Sequence, residues 1–150
     1  MDARITGTLV GGDFSLPRDR TVPLLLAAGG IGVTPFISQL RDLAARGEER
    51  DVVLVYVVRS EQEIAFRDEL QALATRVVLF GPTDADLRPL PDTWTYGGAE
   101  PTTANLLAAV PDLPERKVLV SGSPRFIGTL RSELRSAGVS RVRTDAFLGY

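Results

Sequence analysis

Apolar runs and amphipathic stretches alternate along the chain almost without interruption after residue 22. The apolar runs predict five buried strands, at residues 24–28, 52–58, 77–80, 117–121 and 139–145. Stretches between them carry apolar residues at helical spacing, and Gly47 and Gly138 follow two of these stretches as helix stops. Strand–helix alternation with right-handed crossovers predicts an α/β fold with a doubly wound, five-stranded parallel sheet, a Rossmann-like nucleotide-binding domain.

The first predicted strand runs into a glycine-rich turn, which leads directly into a helix. Such a turn aims backbone N–H groups and a helix N-terminus at one point, an arrangement that suits a phosphate. A Cβ in the turn would block close approach of a ligand and forbid positive φ. The turn and the helix start comprise Gly29, Gly30, Ile31, Gly32, Val33, then Thr34 as the predicted N-cap and Pro35 at the first helical position.

A second turn of small residues follows the fourth predicted strand and again leads into a helix. It comprises Ser121, Gly122, Ser123 and Pro124. In open parallel sheets the ligand lies beyond the carboxyl ends of the strands, where the strand order reverses. Two such turns in one sheet therefore favour a nucleotide site over the alternative, a tight strand–helix turn that binds nothing.

The usual dinucleotide fingerprint is not met. Its third glycine position holds Pro35, and the acidic ribose ligand expected at the end of the second strand is replaced by Arg59 and Ser60. The pattern therefore predicts a nucleotide site of another kind than the standard G-x-G-x-x-G turn.

Composition narrows the chemistry further. The 150 residues include 17 basic and 19 acidic side chains and neither His nor Cys. Imidazole or thiolate metal sites and Ser-His or Cys-His nucleophile pairs are therefore excluded, and no metal site is predicted. A net charge of −2 provides no basic field for nucleic acid. We expect a cytoplasmic setting, either free or as the cytosolic part of a membrane-attached protein.

Residues 1–20 do not follow the strand–helix alternation. They are more typical of the end of a preceding β domain and a linker, so the nucleotide-binding domain is predicted to span residues 21–150.

The motif at residues 28–35 resembles the pyridine-nucleotide motif of the ferredoxin–NADP reductase superfamily. Other landmarks follow in family order. Residues 12–17 resemble the exit from the flavin-binding barrel, and residues 56–59 with Phe66 resemble the second strand and its helix. Residues 120–124 resemble the Cys-Gly-Pro or Ser-Gly-Pro motif, and residues 145–150 resemble the C-terminal segment beside the flavin.

The resemblance implies roles for individual residues. Glycines of the first turn and Thr34 would face the pyrophosphate and the nicotinamide end. Ser121, where many members carry Cys, and Asp145 would be the catalytic positions beside the reacting ring. Arg59 would touch the adenosine ribose or its phosphate, or else be a solvated charge. The remaining cofactor-binding candidates are Ser60, Gly122, Ser123, Pro124 and, against the flavin or packed at the strand end, Phe147 and Tyr150.

The resemblance also implies the cofactors and partners. NAD(P)H would pass a hydride to FAD, which is held by an upstream domain that is not in this chain, and electrons would then reach an unidentified protein or small-molecule acceptor. Asp84 and Asp86 follow the third strand and would repel a 2′-phosphate, which favours NADH, although Arg59 and Arg88 offset them. Alone, the chain would be inactive; the alternative is a non-catalytic nucleotide-binding or regulatory module.

Overall fold

A computed structural model describes residues 14–73, 76–82 and 90–146. The strands are β1 (Leu24–Gly29), β2 (Val52–Val57), β3 (Arg76–Phe80), β4 (Trp94–Gly98), β5 (Lys117–Gly122) and β6 (Val142–Ala146). The α-helices are α1 (Thr34–Ala45), α2 (Arg67–Ala72), α3 (Thr103–Ala109) and α4 (Pro124–Ser136). Short 3₁₀ helices lie at Gly30–Val33, Glu61–Glu63 and Leu113–Glu115.

All six strands are parallel, in the spatial order β4-β3-β2-β1-β5-β6. The chain moves outward from β1 to β4 and then returns to the other side of β1, so the strand order reverses between β1 and β5. Ala28 of β1 pairs with Tyr56 of β2 and with Ser121 of β5. The carboxyl ends of these three strands therefore meet at one edge of the sheet.

The prediction of five strands was wrong, because a sixth strand, β4, pairs with β3 at the sheet edge. Its sequence Trp-Thr-Tyr-Gly-Gly buries only Trp94, so it lacks the apolar run by which the other strands were found. Gly97 packs against Phe80, whose ring would lie 2.6 Å from a Cβ at that position. Since an edge strand is covered less than a central one, its sequence need not be continuously apolar.

The core consists of two layers, one on each face of the sheet. Alternate residues of the strands contribute to each layer, as the period of two requires. On one face the sheet packs against α1 and α2 through Phe36, Ile37, Leu40, Leu43 and Leu70. On the other face it packs against α3 and α4 through Leu106, Ile127, Leu130 and Leu134.

Two predicted helix starts were wrong. Thr34 is not an N-cap: its φ of −55° and ψ of −49° are helical, because the 3₁₀ turn Gly30–Val33 continues directly into α1. Ser60 and Glu63 have the spacing of a capping box, which predicts a helix start at Ser60, but α2 begins only at Arg67. The spacing of Phe66 and Leu70 predicts that Phe66 lies on the apolar stripe of this helix, but Phe66 has a φ of +62° and is 37% exposed.

The linker residues that the structure describes lie against the domain. Phe14 packs on Phe36 with 5.5 Å between ring centroids, and its carbonyl oxygen accepts a 2.8 Å hydrogen bond from Gln39 Nε2. Residues 1–13, and with them most of the predicted barrel exit, lie outside the described residues. Across the described ranges, the helices all fall short of the length and apolar character of a membrane span.

Candidate functional site

The turn after β1 touches the carboxyl end of β5 at the point where the strand order reverses. A Cβ built on Gly32 would lie 2.3 Å from the Ser121 carbonyl oxygen and 2.7 Å from its carbon. Both are backbone atoms that cannot rotate away. The two small-residue turns that the sequence predicted therefore form one continuous surface at the carboxyl edge of the sheet.

Contacts within the protein explain why glycine is required at several of these positions. The Phe126 ring lies within 2.8 Å of a Cβ built on Gly29 and within 2.6 Å of one built on Gly122. Only Gly30, with a φ of +56°, needs a positive φ in the turn. The prediction that a ligand's approach requires these glycines is thus incomplete, because Phe126, which sequence reasoning missed, already requires two of them.

The start of the 3₁₀ turn can receive an anion. The first N–H groups of a helix have no partner within it, and the turn runs unbroken into the twelve residues of α1. The positive end of the helix dipole therefore points out of the carboxyl edge of the sheet. Ile31 is 57% exposed and Thr34 is exposed, so both side chains border this surface. Pro35 occupies the start of α1 and removes one N–H donor that α1 would not use.

Ser121 lies beneath this surface. Its side chain is fully buried, and within the described part of the chain its Oγ has no hydrogen-bond partner. An unpaired buried hydroxyl costs stability unless something else satisfies it. Ser123, another predicted cofactor ligand, has a local role: its Oγ accepts a 3.1 Å hydrogen bond from the N–H of Phe126 and caps α4 above Pro124.

The two predicted catalytic residues are neighbours. Asp145 of β6 is the register partner of Ser121 of β5. Asp145 is half-buried, and this burial raises the pKa of its carboxyl group above the usual value. The sheet thus brings a hydroxyl and a carboxyl group of raised pKa to the same level of its carboxyl edge.

The end of β2 carries an ion pair that sequence reasoning missed. The Glu63 carboxylate accepts hydrogen bonds from Arg59 Nε at 2.9 Å and from the Arg59 backbone N–H at 3.1 Å. Arg59, a predicted ligand, is therefore already paired, although its side chain is 93% exposed. Ser60, also a predicted ligand, contributes a carbonyl oxygen that accepts the Glu63 N–H at 3.1 Å.

Several predicted residues cannot be placed. Phe147 and Tyr150 lie outside the described residues, as do Asp84, Asp86 and Arg88.

The chain is similar in sequence to known NAD-binding domains. The family model of the oxidoreductase NAD-binding domain matches residues 26–132. The NADH oxidoreductase HCR of Escherichia coli is 31% identical over 137 residues, which are 91% of this chain and 39% of that protein. The flavohemoprotein of Bordetella pertussis is 30% identical over 144 residues, which are 90% of this chain and 34% of that protein.

A solved structure shows the same fold. The Amycolatopsis cytochrome P450 reductase GcoB superposes with a TM-score of 0.70 at 24% identity, covering 91% of this chain and 41% of that chain. The chain thus spans about two-fifths or less of these relatives. It belongs to the oxidoreductase NAD-binding domain family, which confirms the resemblance to the pyridine-nucleotide domain of the ferredoxin–NADP reductase superfamily.

Proposed function

We propose that the chain is the Rossmann-like NAD(P)H-binding domain of an FAD-containing reductase and presents the nicotinamide to a flavin held by a separate domain. The observation that carries this proposal is the contact between Gly32 and the Ser121 carbonyl oxygen at the strand reversal. This contact joins a helix start that suits an anion to a buried hydroxyl that has no partner among the described residues.

The residues of the turn would hold the dinucleotide. The N–H groups of Gly30, Ile31 and Gly32 would face the pyrophosphate, and the start of α1 would add its dipole. Ser121 and Gly122 would lie beside the nicotinamide, where the Ser121 hydroxyl would gain a partner that the described residues do not supply. Their task is to position the ring and to exclude water.

Bound FAD would supply the redox chemistry, which is to accept a hydride and to pass on electrons one at a time. No side chain of this chain has to act as a strong acid or base in that exchange. Asp145, beside Ser121, keeps a carboxyl group of raised pKa at the same edge. Phe147 and Tyr150, one and four residues beyond the end of β6, would approach the flavin.

The names of the relatives support a proposal for the rest of the protein. Their names include an NADH oxidoreductase, a flavohemoprotein and the ferredoxin reductase component of a 3-ketosteroid monooxygenase. We propose that residues 1–20 connect this domain to an upstream flavin domain, that the cofactor is NADH, and that a protein or small molecule in the cytoplasm accepts the electrons.

Calorimetric titration with NADH tests the proposal. Thr34→Val removes an exposed hydroxyl at the first residue of α1 and should weaken NADH binding several-fold. Thr129→Val, at another exposed threonine on α4, is the matched control and should leave binding unchanged. Because the flavin domain can complete the site, the full-length protein is titrated in parallel. Absence of NADH and NADPH binding in both proteins would contradict the proposal.

A further inference from the structure

A cavity of about 340 Å³ lies between the linker and α1, away from the glycine-rich turn. Its size is within the range of small-molecule sites. Its charged walls come from the linker, from α1 and from the segment between α1 and β2, and comprise Arg18, Arg20, Asp42, Arg46, Glu48 and Arg50. Four guanidinium groups therefore stand against two carboxylates, which leaves two positive charges in excess.

Three of these arginines share one carboxylate. Glu48 accepts a 2.6 Å hydrogen bond from Arg50 Nε, and both side chains are almost fully buried. This hydrogen bond is the main cause that holds the pKa of Glu48 below its usual value, so the carboxylate is charged at neutral pH. Arg20 Nε and Arg46 Nη1 lie farther away, at 3.3 and 3.6 Å from Glu48 Oε1. The charge of Glu48 is thus matched mainly by Arg50.

The linker side of the cavity has guanidinium donors without a matching carboxylate. Within the described ranges, Arg18 makes neither an ion pair nor a hydrogen bond. The Arg20 side chain is 70% exposed and contacts Glu48 through one nitrogen. Asp19 lies between them in sequence, but its carboxylate accepts the N–H and the hydroxyl of Thr21 at 2.9 and 2.6 Å. Since each guanidinium has five N–H donors, most of those on Arg18 and Arg20 remain available to a ligand.

We propose that this cavity binds a phosphate group, free or as part of a small molecule, between Arg18 and Arg20 of the linker and Arg46 of α1. Guanidinium groups match the geometry of phosphate oxygens and bind them in bidentate fashion. The two excess positive charges would balance a dianion. Because the ligand would contact both walls, it would also hold the linker against α1. The site is separate from the proposed dinucleotide site, since Arg46 follows Thr34 by twelve residues, about 18 Å along a helix.

Calorimetric titration of the chain with inorganic phosphate tests the proposal, at constant ionic strength and at a mildly alkaline pH where phosphate is a dianion. Binding should be saturable, and sodium chloride at the same ionic strength should give none. Arg18→Gln should weaken phosphate binding about tenfold or more, as the loss of a hydrogen bond between charged groups implies. Arg131→Gln removes an exposed arginine of α4 and is the matched control, which should bind phosphate like the wild type.

A second variant should act in the opposite direction, which loss of folding cannot do. The Asp42 side chain is 64% exposed and pairs with Arg46 at 2.9 Å. Asp42→Asn removes this competing carboxylate, so phosphate should bind a few-fold more tightly. Asp68→Asn makes the same change on an exposed residue of α2 and should leave phosphate affinity unchanged. If Asp42→Asn bound phosphate no more tightly than the wild type, the role assigned to Arg46 would be wrong.

Two further titrations identify the site and the ligand. The glycine-rich turn also suits an anion, but phosphate bound there would be displaced by NADH and would not respond to Arg18→Gln; that result would overturn the inference. Glycerol 2-phosphate is titrated in parallel. Tighter binding than inorganic phosphate would assign the cavity to a phosphate monoester, and weaker binding would assign it to free phosphate. Absence of saturable binding of both would overturn the inference and leave the proposed NAD(P)H site untouched.

Discussion

The two edges of the parallel sheet are built from opposite kinds of residues. At the amino edge, the guanidinium of Arg116 donates to Asp112 Oδ1 at 3.0 Å, to Asp51 Oδ1 at 3.0 Å and to the Leu24 carbonyl oxygen at 2.9 Å. At the carboxyl edge, a glycine-rich turn lies directly on the Ser121 backbone, and the Ser121 hydroxyl has no partner among the described residues.

The difference between the two edges implies that the amino edge serves stability and the carboxyl edge serves ligand binding. Arg116 ties together the starts of β1, β2 and β5 and pairs its charge fully with two carboxylates, so the amino edge stabilises the fold. At the carboxyl edge, the first N–H groups of the helix have no partner within the helix, and among the described residues the buried Ser121 hydroxyl has none either, which costs stability. Substitutions at the amino edge should therefore change stability alone, and those at the carboxyl edge should change binding.

The largest effect is expected for Gly32→Ala. The new Cβ would meet the Ser121 backbone at 2.3 Å, so a strand or the turn must move. We expect a loss of about 3 kcal/mol in the free energy of unfolding, at the upper end of overpacking costs, together with loss of NADH binding. Urea denaturation and calorimetry measure the two effects.

The control for this variant is Gly128→Ala in α4, where a Cβ meets nothing within 4 Å. It should stabilise the chain by about 0.5–1 kcal/mol because alanine is the better helix former. A Gly32→Ala protein as stable as the wild type would show that the two turns do not touch.

Arg116→Met should have the next largest effect and tests the amino edge. It removes one hydrogen bond to the buried Leu24 carbonyl oxygen and the pairing with two carboxylates, which should reduce the free energy of unfolding by about 2 kcal/mol. NADH affinity should not change. Arg131→Met, at an exposed position of α4, is the matched control. If Arg116→Met lost NADH binding at a temperature where the protein is folded, the claim that the amino edge affects stability alone would be contradicted.

The difference in stability between the wild type and Arg116→Met is expected to depend on pH. The hydrogen bond from Arg116, and then its charge, hold the pKa of Asp112 below its usual value in the folded state. That stabilisation is complete above the unfolded-state pKa and is lost as the pH falls through the lowered folded-state pKa. The stability difference between wild type and Arg116→Met should therefore narrow in acid. A constant difference would mean that the carboxylate does not contribute.

Ser121→Ala should have a smaller effect, of opposite sign on stability. It removes a buried hydroxyl that no described residue pairs with, so the free energy of unfolding should rise by about 0.5–1 kcal/mol. If the hydroxyl serves the ligand, NADH affinity should fall in the same protein. A destabilised Ser121→Ala variant would mean that the hydroxyl has a structural partner.

Asp145→Asn should have the smallest effect. Burial raises the folded-state pKa of Asp145, so the folded state loses stability as the pH rises from the unfolded-state value through the raised one. At neutral pH, Asp145→Asn should therefore be slightly more stable than the wild type, by no more than a few tenths of a kcal/mol after solvent screening. In strong acid the two proteins should unfold alike.

The apolar pattern predicted the layout of the fold but not its local contacts. The apolar runs located β1, β2, β3 and β5 to within about a residue, because central parallel strands are buried on both faces. β4 was missed because an edge strand with two glycines carries no such run. The pattern of small residues between a strand and a helix located both turns of the site. It did not reveal Glu63, whose position depends on a 3₁₀ turn anchored by the Tyr56 hydroxyl.

Amide chemical shifts during titration of the chain with NADH test the difference between the two edges most directly. The account predicts saturable shifts at Gly30, Ile31, Gly32 and Gly122, and unchanged amides at Asp51, Asp112 and Arg116. Saturable shifts confined to the amino edge, or the absence of any saturable shift in this chain and in the full-length protein, would contradict it.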